Sequence, residues 1–170
     1  PNYKSNDNKA TILEKGDRNF LSSEFKKLIG YKKNILEVGC GTGQMSNYFA
    51  IGTNNYVVGL DPTIESLKLA SDFVEKNNID NIEFINADIF DDVLKKDFFD
   101  FIWCNGVLHH LPDKNSSSKA LKELFRVTKF GGSTFVYLGV EKPGLIEKYI
   151  VPSLRRAYLE EKTFKKLIDS

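Results

Sequence analysis

Apolar positions along this chain change their period several times, and the changes mark out alternating helices and strands. Phe20, Phe25, Leu28 and Ile29 recur at helical spacing and stop at Gly30, a residue suited to a helix C-cap. Short apolar runs follow at Ile35 to Val38, Tyr56 to Leu60, Ile82 to Asn86, Phe98 to Cys104 and Ser133 to Val140, lengths that fit strands. Between them lie helical stripes: Met45, Tyr48 and Phe49, then Ile64, Leu67, Ala70, Phe73 and Val74, then Ala120, Leu121, Leu124 and Phe125. Pro62 suits the first turn of the second of these helices, Ser116 to Ser118 are placed to cap the third, and Gly131-Gly132 to end it. Five rounds of strand and helix predict an α/β fold, a doubly wound and mainly parallel sheet with helices on both faces. In such sheets ligands sit in the crevice at the carboxyl ends of the strands. Residues 1–10 are polar, with little order expected. Beyond Pro143 the pattern reads as helical with a break at Pro152, and no sixth or seventh strand is evident.

The chain's 170 residues suffice for one core. With 41% hydrophobic and 28% charged residues it has the balance of a water-soluble domain. Neither a membrane-spanning run nor a signal-peptide pattern is visible, so a cytoplasmic setting is expected. Two cysteines make no disulfide framework and lack metal-site spacing, so no metal is expected. A net charge of +1 gives no reason to expect nucleic acid. The charge is uneven, however: residues 1–33 hold eight basic side chains against four acids, residues 34–140 nine against fourteen, and residues 141–170 seven against five. The oligomeric state is open.

The chemistry concentrates in Ile35 to Gln44, Ile-Leu-Glu-Val-Gly-Cys-Gly-Thr-Gly-Gln. A strand carrying Glu37 runs into Gly39, Gly41 and Gly43, and a helix follows at once. Glycine allows positive φ and lets a ligand approach main-chain N–H groups that no Cβ shields. A dinucleotide loop of the G-x-G-x-x-G type does not fit, because its last glycine falls on Gln44 or Ser46 in the two possible registers. Asp61 ends the second strand, where a carboxylate can accept from both hydroxyls of a ribose, or simply cap the next helix. Asp88 and Ile89 follow the third strand, and Asn105 ends the fourth. Every one of these positions is at a carboxyl strand end.

An acidic residue two positions before G-x-G-x-G resembles the first motif of class I S-adenosylmethionine-dependent methyltransferases. The run His109-His110-Leu111-Pro112-Asp113 is similar to one found in their ubiquinone-biosynthesis-like small-molecule group, and Arg126 to Gly132 looks like a further family segment with Phe130 in place of proline. The resemblance covers residues 35–140. It implies a Rossmann-like core of strand order 3-2-1-4-5 over residues 34–140, a helical segment or lid over 1–33, a helical segment over 141–170, and a chain incomplete at its C-terminus.

For the site it implies S-adenosylmethionine as cofactor and S-adenosylhomocysteine as product. Glu37 faces the ammonium group; Gly39, Cys40, Gly41 and Gly43 wrap the methionine half; Asp61 and Pro62 flank the ribose, with Ile64 reaching the adenine. Asp88 and Ile89 meet the adenine edge, and Asn105 lies beside the methionine moiety. Asn105 lacks the Pro-Pro-aromatic sequel of DNA-base and glutamine amino methyltransferases. His109 or His110 can act as a general base if the acceptor must lose a proton, or can simply pack the loop. The two thiols, on strands that this order makes neighbours, are either redox-sensitive or inert. The acceptor is expected to be a small molecule, anionic or presented at a lipid surface, with Arg155, Arg156, Lys165 and Lys166 as contacts. A non-catalytic cofactor-binding module and a nicotinamide-dependent oxidoreductase are the rival readings.

Overall fold

The computed structural model describes residues 7–138 and 148–152. Strands follow one another through the sheet in the order β3-β2-β1-β4-β5-β6: β1 Asn34–Val38, β2 Tyr56–Asp61, β3 Ile82–Asn86, β4 Phe99–Asn105, β5 Thr128–Tyr137 and β6 Lys148–Pro152. The first five keep the expected order, and the chain divides into two compact units, residues 1–93 and 94–170.

The first unit holds α1 Lys9–Arg18, α2 Phe20–Ile29, α3 Gln44–Ala50 and α4 Ile64–Lys76 around β1 to β3. Ile35, Leu36, Val57 and Leu60 are buried because both faces of a parallel sheet are covered, which is why these strands read as near-continuous apolar runs. Parallel pairing sets Val38 level with Leu60, Leu60 with Ile85 and Asp61 with Asn86, so the loops after all three strands leave at one edge. The second helix matches its expected span, and Gly30 ends it at φ 73.

Helix α1 lies partly within residues expected to have little order. Few of its positions are apolar, yet the Asn8 side chain accepts from the Thr11 N–H at 3.1 Å, and Asn19 closes this helix and caps the next. The helix is held by a close approach: a Cβ on Gly16 would fall 2.1 Å from the Tyr48 ring. The Tyr48 hydroxyl donates to Asp17 at 2.7 Å. Lys26 completes the joint from α2, its ammonium on the Tyr48 and Ile51 carbonyls at the end of α3 (2.7 and 3.2 Å) and over the Tyr48 ring. A cation on the last carbonyls of a helix satisfies acceptors that the helix cannot.

The second unit holds β4 to β6 and α5 Lys114–Val127, with Trp103 stacked on Phe135 at 4.4 Å between centroids. Asp113, not Ser116 to Ser118, caps α5, its carboxylate accepting from the Ser116 N–H at 2.7 Å. That helix stops at Val127, before the glycines, and the strand begins at Thr128. Gly131 and Gly132 instead sit inside β5 where its register with β4 shifts, and a Cβ on Gly132 would press on the Phe99 and Asp100 carbonyls at 2.9 Å. A sixth strand exists: β6 pairs antiparallel with β5 where the sequence pattern reads as helix, because Tyr149-Ile150-Val151 suits either period and pairing along β5 decides for strand. The rest of the C-terminal stretch expected to be helical lies outside the described residues. No helix among the described residues is long and apolar enough to cross a membrane.

Candidate functional site

Glycine placement in the β1–α3 loop follows from backbone demands. Gly39, Gly41 and Gly43 have φ of 69, 53 and 72°, a region that side chains with a Cβ disfavour. At Gly43 there is a second reason, since a Cβ would meet the Phe84 ring at 2.6 Å. Gly41 has open space above it, and Gly39 is exposed.

Four of the loop's N–H groups are engaged inward. Gly39 and Cys40 both donate to the Leu60 carbonyl (2.8 and 3.1 Å), Gly43 to the Cys40 carbonyl at 2.8 Å, and Gly41 to the Asp61 carboxylate at 2.8 Å. Satisfying buried N–H groups within the protein fixes the loop in shape before any ligand arrives. The Cys40 side chain is buried; its sulfur would sit 2.9 Å from a Cβ on Gly59, so what it presents at the loop is backbone.

Asp61 is 8% exposed and does not cap α4. Its second oxygen accepts from the Thr63 N–H at 2.9 Å, while Thr63 occupies the cap position and helix α4 starts at Ile64. Pro62 therefore precedes the helix and is exposed rather than lying in its first turn. Ile64 is 43% exposed. The Asn86 amide and the Ala87 N–H both donate to the Asp61 carbonyl (3.1 and 3.3 Å), joining the end of β2 to the Asp88 loop. Asp88 accepts from Phe90 N–H at 3.0 Å and donates its own N–H to Asp91 at 2.8 Å, while the Ile89 side chain is buried.

Glu37 stands on β1, two residues before the glycine loop. It is 6% exposed and accepts from the Ser46 hydroxyl. Burial pushes its carboxyl up to about 8; Ser46 hydrogen bonds pull against that, and the nearby Asp61 charge adds to it. Ser46 was not legible as a site residue. Its signal is positional, in the first turn of the helix that the glycine loop opens, facing back along the strand. Beside that turn, α1, the start of α2 and the start of α3 border a half-open pocket of about 140 Å³ lined by Ile12, Gly16, Asn19, Ser22, Gln44 and Met45.

In the second unit Asn105 ends β4, exposed and paired in register with Tyr137. His109 and His110 lie exposed on a 3-10 turn, Leu108–His110, their rings 4.0 Å apart. Partial burial and then His110 lower the His109 pKa. No group of His, Cys, Asp and Glu suited to hold a metal occurs among the described residues. Arg155, Arg156, Lys165 and Lys166 lie outside those residues.

The first unit thus offers a buried carboxylate without a cation among the influences that set its state, a fixed loop with open space at Gly41, and a second carboxylate at the next strand end. A ligand with an ammonium group and ribose hydroxyls has the donors that these two carboxylates can accept from. Comparison with known proteins agrees. A family model described as a methyltransferase domain matches residues 29–149. The chain is 32% identical over 113 residues to the demethylmenaquinone methyltransferase of Listeria welshimeri, covering 64% of this chain and 47% of that protein. It is 30% identical over 130 residues to the tRNA (carboxymethyluridine(34)-5-O)-methyltransferase of Arabidopsis thaliana, covering 75% and 29%. Among solved structures, PKMT2 from Rickettsia typhi in complex with AdoHcy superposes with a TM-score of 0.58 at 25% identity, covering 62% of this chain and 21% of that one. The chain spans about half the length of the demethylmenaquinone methyltransferases it matches.

Proposed function

The chain belongs to the class I S-adenosylmethionine-dependent methyltransferases, and on that premise we propose that it transfers a methyl group from S-adenosylmethionine to a small-molecule acceptor. The observation that carries the reading is that two carboxylates flank one glycine loop: buried Glu37 on the strand that leads into it, and Asp61 at the next strand end, which accepts from the Gly41 N–H. Glu37 receives the cofactor's ammonium group, whose positive charge favours the ionised carboxylate that burial opposes. Asp61 keeps lone pairs on both oxygens beyond those used by Gly41 and Thr63, and accepts from the ribose hydroxyls. Gly39 and Gly41 give the methionine half its approach, with Cys40 contributing backbone alone. Asp88 accepts from the adenine amine and Ile64 covers the ring.

The cofactor supplies a methyl group already activated on a sulfonium. The protein's share is to bind and orient the reactants and exclude water, which in well-aligned cases is worth on the order of 7–11 kcal/mol. A lid role for α1 and α2 is supported by the pocket that they border with the start of α3.

For the acceptor, the demethylmenaquinone relatives favour a small molecule, and a net charge of +1 gives RNA little to hold. The test is transfer of radiolabel from methyl-tritiated S-adenosylmethionine to a reduced demethylmenaquinone or to bulk transfer RNA. Label in the quinone supports the reading, and label in RNA overturns it. Label in neither, by a chain that binds the cofactor, favours the non-catalytic module.

A further inference from the structure

Three large apolar side chains in one stretch of the first unit stand out in solvent. Phe20, Leu28 and Tyr31 are 79, 74 and 70% exposed, whereas Phe25 between them is 4% exposed. The period explains the contrast: Ser22 and Phe25 form the inner side of α2, and Phe20, Glu24, Lys27 and Leu28 fall within about a third of a turn on the outer side. Tyr31 follows the end of the helix on a tied loop. The Asn55 amide donates to the Gly30 carbonyl at 3.1 Å, and Asn55 accepts from the Lys33 N–H at 2.9 Å, so Tyr31 and Lys32 are held outward by anchored neighbours.

The net charge on this side is positive. Lys26 is turned inward to the end of α3, and Glu24 is matched by Lys27 at 2.7 Å. Exposed Lys32 and Lys33 remain as net positive charge beside Tyr31. Apolar side chains interleaved with lysines suit an interface where hydrocarbon and anionic headgroups meet, because lysine stems lie along apolar surface while their ammonium groups reach the phosphates. A protein partner's apolar groove would not call for this added positive charge.

We propose that the outer side of α2, with the loop 30–33, docks on the surface of a bilayer containing anionic phospholipid. Phe20, Leu28 and Tyr31 enter the headgroup boundary, and Lys32 and Lys33 select negative charge. Docking of this kind is shallow and reversible, and it does not depend on the methyltransferase reading.

The experiment is sedimentation of the full chain with phosphatidylcholine vesicles, with and without phosphatidylserine. Each lysine near a negative surface is worth about fivefold in partitioning, so phosphatidylserine should raise binding about twenty-fivefold, and high salt should remove the gain. Lys32→Glu with Lys33→Glu should abolish that preference. Phe20→Ser with Leu28→Ser and Tyr31→Ser should abolish binding to both vesicles, while thermal unfolding of these surface variants stays near that of the parent. A folded parent chain that ignores phosphatidylserine vesicles overturns the proposal. So does binding that survives the triple serine variant, or a dimer in solution that this variant dissociates in a chain without vesicle affinity, which would make a second copy the occupant.

Discussion

Replacing Glu37 by Gln should change how stability depends on pH, in a direction the structure dictates. In the folded chain without ligand, burial holds this carboxyl at about 8 against an ordinary value of 4.5, so folding takes up a proton wherever the pH lies between them. The folded pKa is the higher of the two. The stabilising contribution is therefore complete below about pH 4.5 and is lost as pH rises through about 8. The slope is at most about 1.4 kcal/mol per pH unit, and the whole interval is worth on the order of 5 kcal/mol. Gln keeps an oxygen for the Ser46 hydroxyl and cannot ionise, so it should flatten that slope. Urea unfolding of parent and Glu37→Gln chains at a series of pH values from mildly acidic to mildly alkaline reads it directly, as the difference between the two stability curves. The parent should lose stability relative to the variant as pH rises. Parallel curves would refute the reasoning. A linked consequence follows for the ligand: an arriving ammonium group should ionise Glu37 and release a proton near neutral pH. Calorimetry of S-adenosylmethionine binding in buffers of different ionisation enthalpy detects that release.

Gly16→Ala should destabilise the first unit by about 1–3 kcal/mol by denaturant titration, because the Tyr48 ring in its path is held by Asp17 and Lys26 and the roughly 1 kcal/mol gained in helix propensity does not cover the clash. Burial raises the thiol of Cys104 to about 12, and burial, then Glu37 and Asp61, raise that of Cys40, so both should react with a disulfide reagent only as fast as the native chain opens. Labelling much faster than opening would show an accessible thiolate. His109→Ala and His110→Ala, made singly on an exposed turn, should leave unfolding midpoints and cofactor affinity unchanged. If either lowers turnover more than a hundredfold with affinity intact, a general base is identified.

The sheet was legible because burial on both faces leaves each strand as an apolar run bounded by turn residues, and the parallel order follows from the helices between them. The glycines were legible because the turn demands positive φ at each of them, and Glu37 and Asp61 were singled out by their spacing around that turn. Helix α1 was not, since its stability comes from Gly16 meeting a tyrosine distant in sequence and from asparagine caps rather than from an apolar stripe. Strand β6 was hidden because Tyr149 to Val151 suits two periods and only pairing along β5 decides. Gly131-Gly132 reads locally as a helix end, whereas the pair lies inside β5, Gly131 at φ 77 and Gly132 where a Cβ would crowd the Phe99 and Asp100 carbonyls. Ser46 escaped notice because nothing in a lone serine signals that its hydroxyl serves a buried carboxylate.

Calorimetric titration of the purified chain with S-adenosylmethionine, S-adenosylhomocysteine and NADH in parallel tests the central claim most directly. The account predicts that the first two bind, that NADH does not, and that Asp61→Ala removes the binding. Binding of NADH alone, or S-adenosylmethionine affinity untouched by Asp61→Ala, would contradict it.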